Sequence, residues 1–176
     1  MFFSKITNEM FYYKITNEIC EGTPYMEEDT SILFKYSKEA DLSLDYTISL
    51  SGNPRYLMDV SCKTGICGPL RCFMAGAEII PQNLKIPSSK RGQLYFKSKE
   101  EMTPYSGTMY TVFCDKCYYD EKKQILCLGS PECKGESVEF VEDTYAVIEN
   151  YNLRAVFMKV KYLKKYIPIK KRKVKR

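Results

Sequence analysis

The chain has no histidine and no tryptophan among its 176 residues. Without imidazole there is no Ser-His-Asp or Cys-His pairing, and no histidine general base near neutral pH. Phosphate-cradling glycine loops are also lacking, with neither G-x-G-x-x-G nor the Walker pattern anywhere, and no zinc-protease helix motif occurs. Nor is there an apolar run approaching the ~18 residues that cross a membrane. The opening MFFSKITNEM turns to charge too soon for a signal peptide. These absences point to a cytoplasmic protein that is not an enzyme, with no membrane and no small-molecule substrate. In that compartment eight cysteines are thiols and metal ligands, not a disulfide framework.

What is present is a chain able to build a core. Its hydrophobic content of 44% and aromatic content of 14% are those of a globular protein, so disorder is excluded for the body. Short runs rich in Tyr, Val, Ile and Phe recur between breakers: ILFKYS, LDYTISLSG, YLMDVSC, FMAGAEII, QLYFKS, TMYTVFC, QILCLG, TYAVIENY and LRAVFMKVKYL. Several alternate with period two, as a half-buried strand does. Gly52-Asn53-Pro54, Gly68-Pro69, Pro87-Ser88-Ser89, Pro104 and Gly129-Ser130-Pro131 punctuate them. The expected fold is all-β, an antiparallel sandwich or barrel with a zinc knuckle pair. Residues 1–163 form one β-rich zinc-binding domain, and 164–176 a basic C-terminal extension. Helix stays open as an alternative in the first 20 residues. There Phe3–Met10 is echoed nine positions on by Tyr12–Ile19, a local duplication or two strands with Asn at a turn. Residues 21–30, EGTPYMEEDT, read as an exposed acidic loop.

The cysteine pattern points to metal. Cys114-Asp115-Lys116-Cys117 follows an apolar run, the arrangement by which a strand and turn offer two thiolates to one tetrahedral ion. With no histidine, zinc here needs sulfur ligands, helped at most by a carboxylate. A split site uses Cys62, Cys67, Cys114 and Cys117. A local site uses Cys114, Cys117, Cys127 and Cys133. Gly65 and Gly68 around Cys67 favour the split site, since they permit a tight backbone whose N–H groups face thiolate sulfur. A redox dithiol fits less well, because its C-x-x-C opens a helix and these flanks read as strand and hairpin. Four sulfurs close the coordination sphere, so the zinc would be structural. The remaining cysteines read as small apolar residues.

Charge is segregated along the chain. Residues 1–149 hold 16 Lys/Arg against 22 Asp/Glu, while residues 150–176 hold 11 Lys/Arg and no acid. The candidate RNA-binding residues are Lys164, Lys165, Lys170, Lys171, Arg172, Lys173, Lys175 and Arg176. Such a block neutralises backbone phosphates with salt-dependent, largely sequence-blind affinity. KKRKVKR would also serve as a nuclear-import signal, which makes a nuclear location the alternative.

The knuckle at Cys114–Cys117, the stretch Glu132–Phe140 and the strand Val156–Tyr162 resemble the eukaryotic CXXC-motif-containing zinc-binding proteins. Tyr56-Leu57-Met58 before Cys62 and Gly68 after Cys67 resemble the lead-in and exit of that family's first knuckle. The first pair here is C-x4-C where the family has C-x-x-C, and 46 residues separate the two pairs. The resemblance implies a small all-β protein with one zinc on Cys62, Cys67, Cys114 and Cys117. One divergent branch, in microsporidian parasites, is a dormancy factor seated in the tRNA exit site of idle ribosomes. By that likeness the expected partner is the ribosome, gripped through rRNA by the basic extension, and the expected role is ribosome hibernation. The alternatives are a nuclear zinc-ribbon protein in transcription and a structural ribosomal protein.

Overall fold

The computed structural model describes residues 9–38, 42–52, 55–110 and 116–161. Among them there are fourteen strands and no helix. The all-β expectation holds, and neither sheet closes into a barrel.

Six strands make one sheet: β2 (Gly22–Met26), β3 (Ser31–Tyr36), β4 (Tyr46–Gly52), β5 (Arg55–Val60), β6 (Cys67–Phe73) and β9 (Ser106–Met109). Their spatial order is β2-β3-β6-β5-β4-β9. The other eight are β1 (Met10–Ile15), β7 (Ile79–Pro81), β8 (Lys90–Lys97), β10 (Cys117–Asp120), β11 (Ile125–Gly129), β12 (Glu136–Val141), β13 (Thr144–Glu149) and β14 (Asn152–Lys159). They run in the order β1-β8-β12-β13-β14-β11-β10-β7. The expected all-antiparallel pairing needs correction. β4 with β9, β7 with β10, and β8 with β12 pair in parallel. In each case the chain must leave the sheet and return, so these strands are not joined by a hairpin.

The two sheets share one apolar core. Alternation sends Tyr56, Met58 and Val60 of β5 inward together with Leu70 and Cys72 of β6, and from the other sheet come Leu94, Phe96, Cys117, Leu126, Leu128 and Val156. Phe11 stands 5.0 Å from Phe96 and 5.1 Å, edge-on, from Tyr110. Tyr110 follows β9 and crosses between the sheets. Its N–H donates to the Ser49 carbonyl, while its buried hydroxyl accepts from the Leu153 N–H and donates to Asn152 Oδ1. The loop between β5 and β6 closes the same side. Gly65 there has φ +76°, a Cβ on it would stand 2.7 Å from the Phe96 carbonyl oxygen, and its own carbonyl accepts the Phe96 N–H. Glycine is required on both counts.

The eight-stranded sheet buries part of its second face as well, over β11, β13 and β14. Residues 82–89 cross it as a strap, setting Leu84 on Ile125, Cys127, Val147, Ala155 and Phe157. Asp120 pins the strap: its carboxylate accepts from the Leu84 N–H and from the Lys122 and Lys123 N–H groups, with the Lys123 ammonium 3.4 Å away. No such strap covers the six-stranded sheet among the described residues.

Three sequence expectations change. Residues 21–30 are not wholly an acidic loop, because Gly22–Met26 is strand β2 with Met26 in the core. Its outward edge is occupied: the Gly22 N–H donates to Glu142 Oε2, Pro24 has no N–H, and the Met26 N–H donates to the Lys161 carbonyl. The run FMAGAEII is not one strand, since β6 ends at Phe73 and β7 begins at Ile79. Within the first 20 residues Met10–Ile15 is strand, not helix, and the first copy of the repeat falls mostly outside the described residues.

Burial raises the Asp120 pKa, but the Leu84 and Lys123 N–H groups and the Lys123 ammonium outweigh it, leaving the carboxyl below its ordinary value. A depressed pKa stabilises the fold above the unfolded-state value, and that contribution is lost as pH falls through the folded-state value. Asp120→Ala is expected to destabilise the protein by about 1–3 kcal/mol at pH 7, because it strands buried N–H donors. In urea titrations the deficit against wild type should shrink as pH falls below about 4.

Candidate functional site

The predicted zinc ligands occupy different neighbourhoods. Cys62 is half-buried against the shared core in the β5–β6 loop, where its N–H and its Sγ donate to Asp45 Oδ1 and Oδ2 at 2.8 and 3.1 Å. That bond, more than burial, raises the thiol pKa, and the same contacts lower that of Asp45. Cys67 points into the core, and burial alone pushes its thiol well up. Cys117 opens β10 in the core facing Tyr56 and Cys72. Burial drives its pKa to about 12 against a hydrogen bond from the Tyr56 hydroxyl. Cys72 is raised by burial first and by Cys117 second. Cys114 lies outside the described residues.

Among the described residues no three of Cys, Asp or Glu gather as a metal-ligand group. The geometry sets Cys117 beside Cys72 and Cys62 on Asp45, while the fourth member of the split set, Cys114, is not among the described residues. In the local set the cysteines divide between two faces. Cys117 faces the shared core, while Cys127 and Cys133 belong to the apolar layer under the strap, on the opposite face of the sheet. Successive residues of a strand point to opposite faces, and Tyr118, not Cys117, is the register partner of Cys127.

The eight predicted RNA-binding residues all lie beyond Lys161, outside the described residues. The structure does place the root of their segment. Lys161 pairs in parallel with Tyr25, its N–H donating to the Pro24 carbonyl and its own carbonyl accepting from Met26. Lys161 thus lies on the β2 edge of the six-stranded sheet.

The outer face of that sheet holds residues that sequence reasoning missed. Arg55 and Phe73 are register partners on β5 and β6, with Leu57 and Arg71 paired one rung along. Phe73 is 39% exposed, Met109 on β9 is 59% exposed, and Tyr105 just before β9 is 96% exposed. Lys35 of β3 and Arg55 are exposed cations, and neither has an ion-pair partner among the described residues. The nearby acids are engaged. Asp59 accepts from Arg71 Nη2 at 2.6 Å and from the Thr47 hydroxyl at 2.9 Å, and Asp45 is held by Cys62. Tyr105, Arg71, Thr47, Asp59, Asp45, Leu44 and Ser106 line a shallow recess on this face. The alternation in Arg55-Tyr56-Leu57-Met58-Asp59-Val60 carried the signal for β5. No such signal marked Arg71, because Gly68 and Pro69 stand just before it.

No protein-family model matches the chain, and no curated protein matches it.

The Asp45–Cys62 contact makes a chemical prediction. Since the carboxylate holds the thiol protonated, Asp45→Asn is expected to speed alkylation of Cys62 by iodoacetamide near pH 8, followed by peptide mass spectrometry. An unchanged rate would show that the contact does not govern the thiol.

Proposed function

We propose that the protein is a non-enzymatic, ribosome-binding factor. The basic segment 164–176 grips rRNA phosphates while the β body fills a tRNA or factor site and holds the ribosome idle. The observation that carries this reading is charge segregation: 11 Lys/Arg and no acid follow Glu149. A block of that density is self-repulsive alone and gains affinity by releasing counterions from phosphate. The pairing of Lys161 with β2 supports it, because the segment is rooted on the folded body and the two can bind as one unit.

Co-sedimentation with purified ribosomes tests the reading. Binding is expected at about 50 mM salt and should fall steeply by about 200 mM, as expected when several phosphates are contacted. Replacing Lys170, Lys171, Arg172 and Lys173 together by Gln should flatten the salt slope by about three units. Absence of sedimentation at low salt, with accumulation in the nucleus, overturns the proposal in favour of a nuclear protein using KKRKVKR for import. Persistence on actively translating ribosomes would assign it instead as a structural subunit protein.

A structural zinc on Cys62, Cys67, Cys114 and Cys117 is the second part of the proposal, and it rests on the Cys114–Cys117 spacing. Native mass spectrometry is expected to find one zinc, lost in Cys114→Ser. A folded, metal-free wild-type protein removes zinc from the reading and leaves Cys67, Cys72 and Cys117 as core residues.

A further inference from the structure

The outer face of the six-stranded sheet carries no strap among the described residues. On the opposite sheet the strap at 82–89 covers β11, β13 and β14. The six-stranded sheet has only its inner face buried. Its outer face shows Tyr105 and Phe73, two aromatic rings open to solvent, together with Met109, Arg55, Arg71 and Lys35.

We infer that this face is a docking platform for single-stranded RNA, with bases stacking on Tyr105 and Phe73 and phosphates held by Arg55 and Lys35. The inference rests on the reading of RNA as the partner. It goes further by assigning RNA contact to the folded body as well as to residues 164–176.

Three observations favour RNA over a protein partner. The first is charge. The acids inside the face, Asp59 and Asp45, are already engaged by Arg71, Thr47 and Cys62, which leaves Arg55 and Lys35 as uncompensated cations. The second is the alternation of chemistry. Phe73 and Arg55 stand directly opposite one another on neighbouring strands, so a ring for a base lies beside a guanidinium for its phosphate. The third is continuity. The basic segment departs from Lys161 at the β2 edge of this same sheet, so one strand of RNA can meet the segment and the face without leaving the surface. The acids of the β2–β3 turn lie at the same end of the sheet as the Ser31–Phe73–Arg55 rung, where Glu27 accepts from the Tyr25 hydroxyl and Asp29 from the Ser31 N–H. Flat sheet faces with exposed rings accept bases with little sequence preference, because every base has a π face.

The test is fluorescence anisotropy of a labelled twelve-nucleotide oligouridine with the full chain. Tyr105→Ala and Arg55→Gln alter surface side chains and leave the core untouched. Tyr105→Ala should weaken binding about tenfold with the salt slope unchanged, the signature of a lost stacking contact. Arg55→Gln should weaken binding and lower the slope by about one. The quadruple Gln variant of residues 170–173 should lose much of the slope while keeping its sensitivity to Tyr105→Ala. If both face variants bind as wild type and only the quadruple variant weakens, the face proposal falls and the RNA reading of the segment stands. If wild type binds no RNA, both fall. If the face variants bind RNA normally yet fail to sediment with ribosomes, the face docks a protein and the RNA assignment is overturned.

Discussion

Everything in this molecule depends on two sheets sharing a single apolar layer. Tyr56 and Cys72 on one sheet meet Cys117 on the other, and the Phe11–Phe96–Tyr110 cluster seals a second place where they touch. Removing one large ring from such a layer typically costs about 3–5 kcal/mol. Polar contacts cannot replace it. Each of the six ion pairs among the described residues has at least one side chain more than a third exposed, and such pairs contribute at most about 1 kcal/mol. The hydrogen bonds that matter are the few that let a polar group enter the layer, above all the Tyr110 hydroxyl with Leu153 and Asn152.

That shared layer also explains why the two outer surfaces differ. A sheet with one face in the core may leave the other wet, provided the outward residues are polar. In the eight-stranded sheet the outward positions of β11, β13 and β14 are Cys127, Val147, Ala155 and Phe157, so a cover is needed and the strap supplies it. In the six-stranded sheet the outward positions include Thr47, Arg55, Asp59 and Arg71, and water is tolerated. The exposed rings at Phe73 and Tyr105 stand out against that polar field. At the β2 edge, Pro24, Glu142 and Lys161 use up the outward hydrogen-bonding positions, so that edge cannot recruit a foreign strand.

Much of this was readable from the residues in order. Runs rich in Tyr, Val, Ile and Phe, several of them alternating with period two, located β3, β4, β5, β8, β11, β13 and β14, and the breakers fell between them. The failures have physical causes. β2 is short, carries a proline and is followed at once by Glu27-Glu28-Asp29, so it looked like loop. β6 contains Gly68 and Pro69 and has a register shift opposite Met58–Val60, which hides its alternation. The parallel pairings depend on which strands meet after long detours, and no local pattern encodes that. The cysteines follow the same logic. Spacing tells which thiols are near along the chain, whereas the two faces of β10 and β11 decide which are near in space, and Cys117 and Cys127 fall on opposite sides.

The burial of the thiols has an electrical consequence. Six of the described cysteines, at 20, 62, 67, 72, 117 and 133, have ionisation displaced upward, and the chain has no imidazole. These six thiols therefore stay protonated, and contribute no charge to the described residues, between about pH 5 and 8.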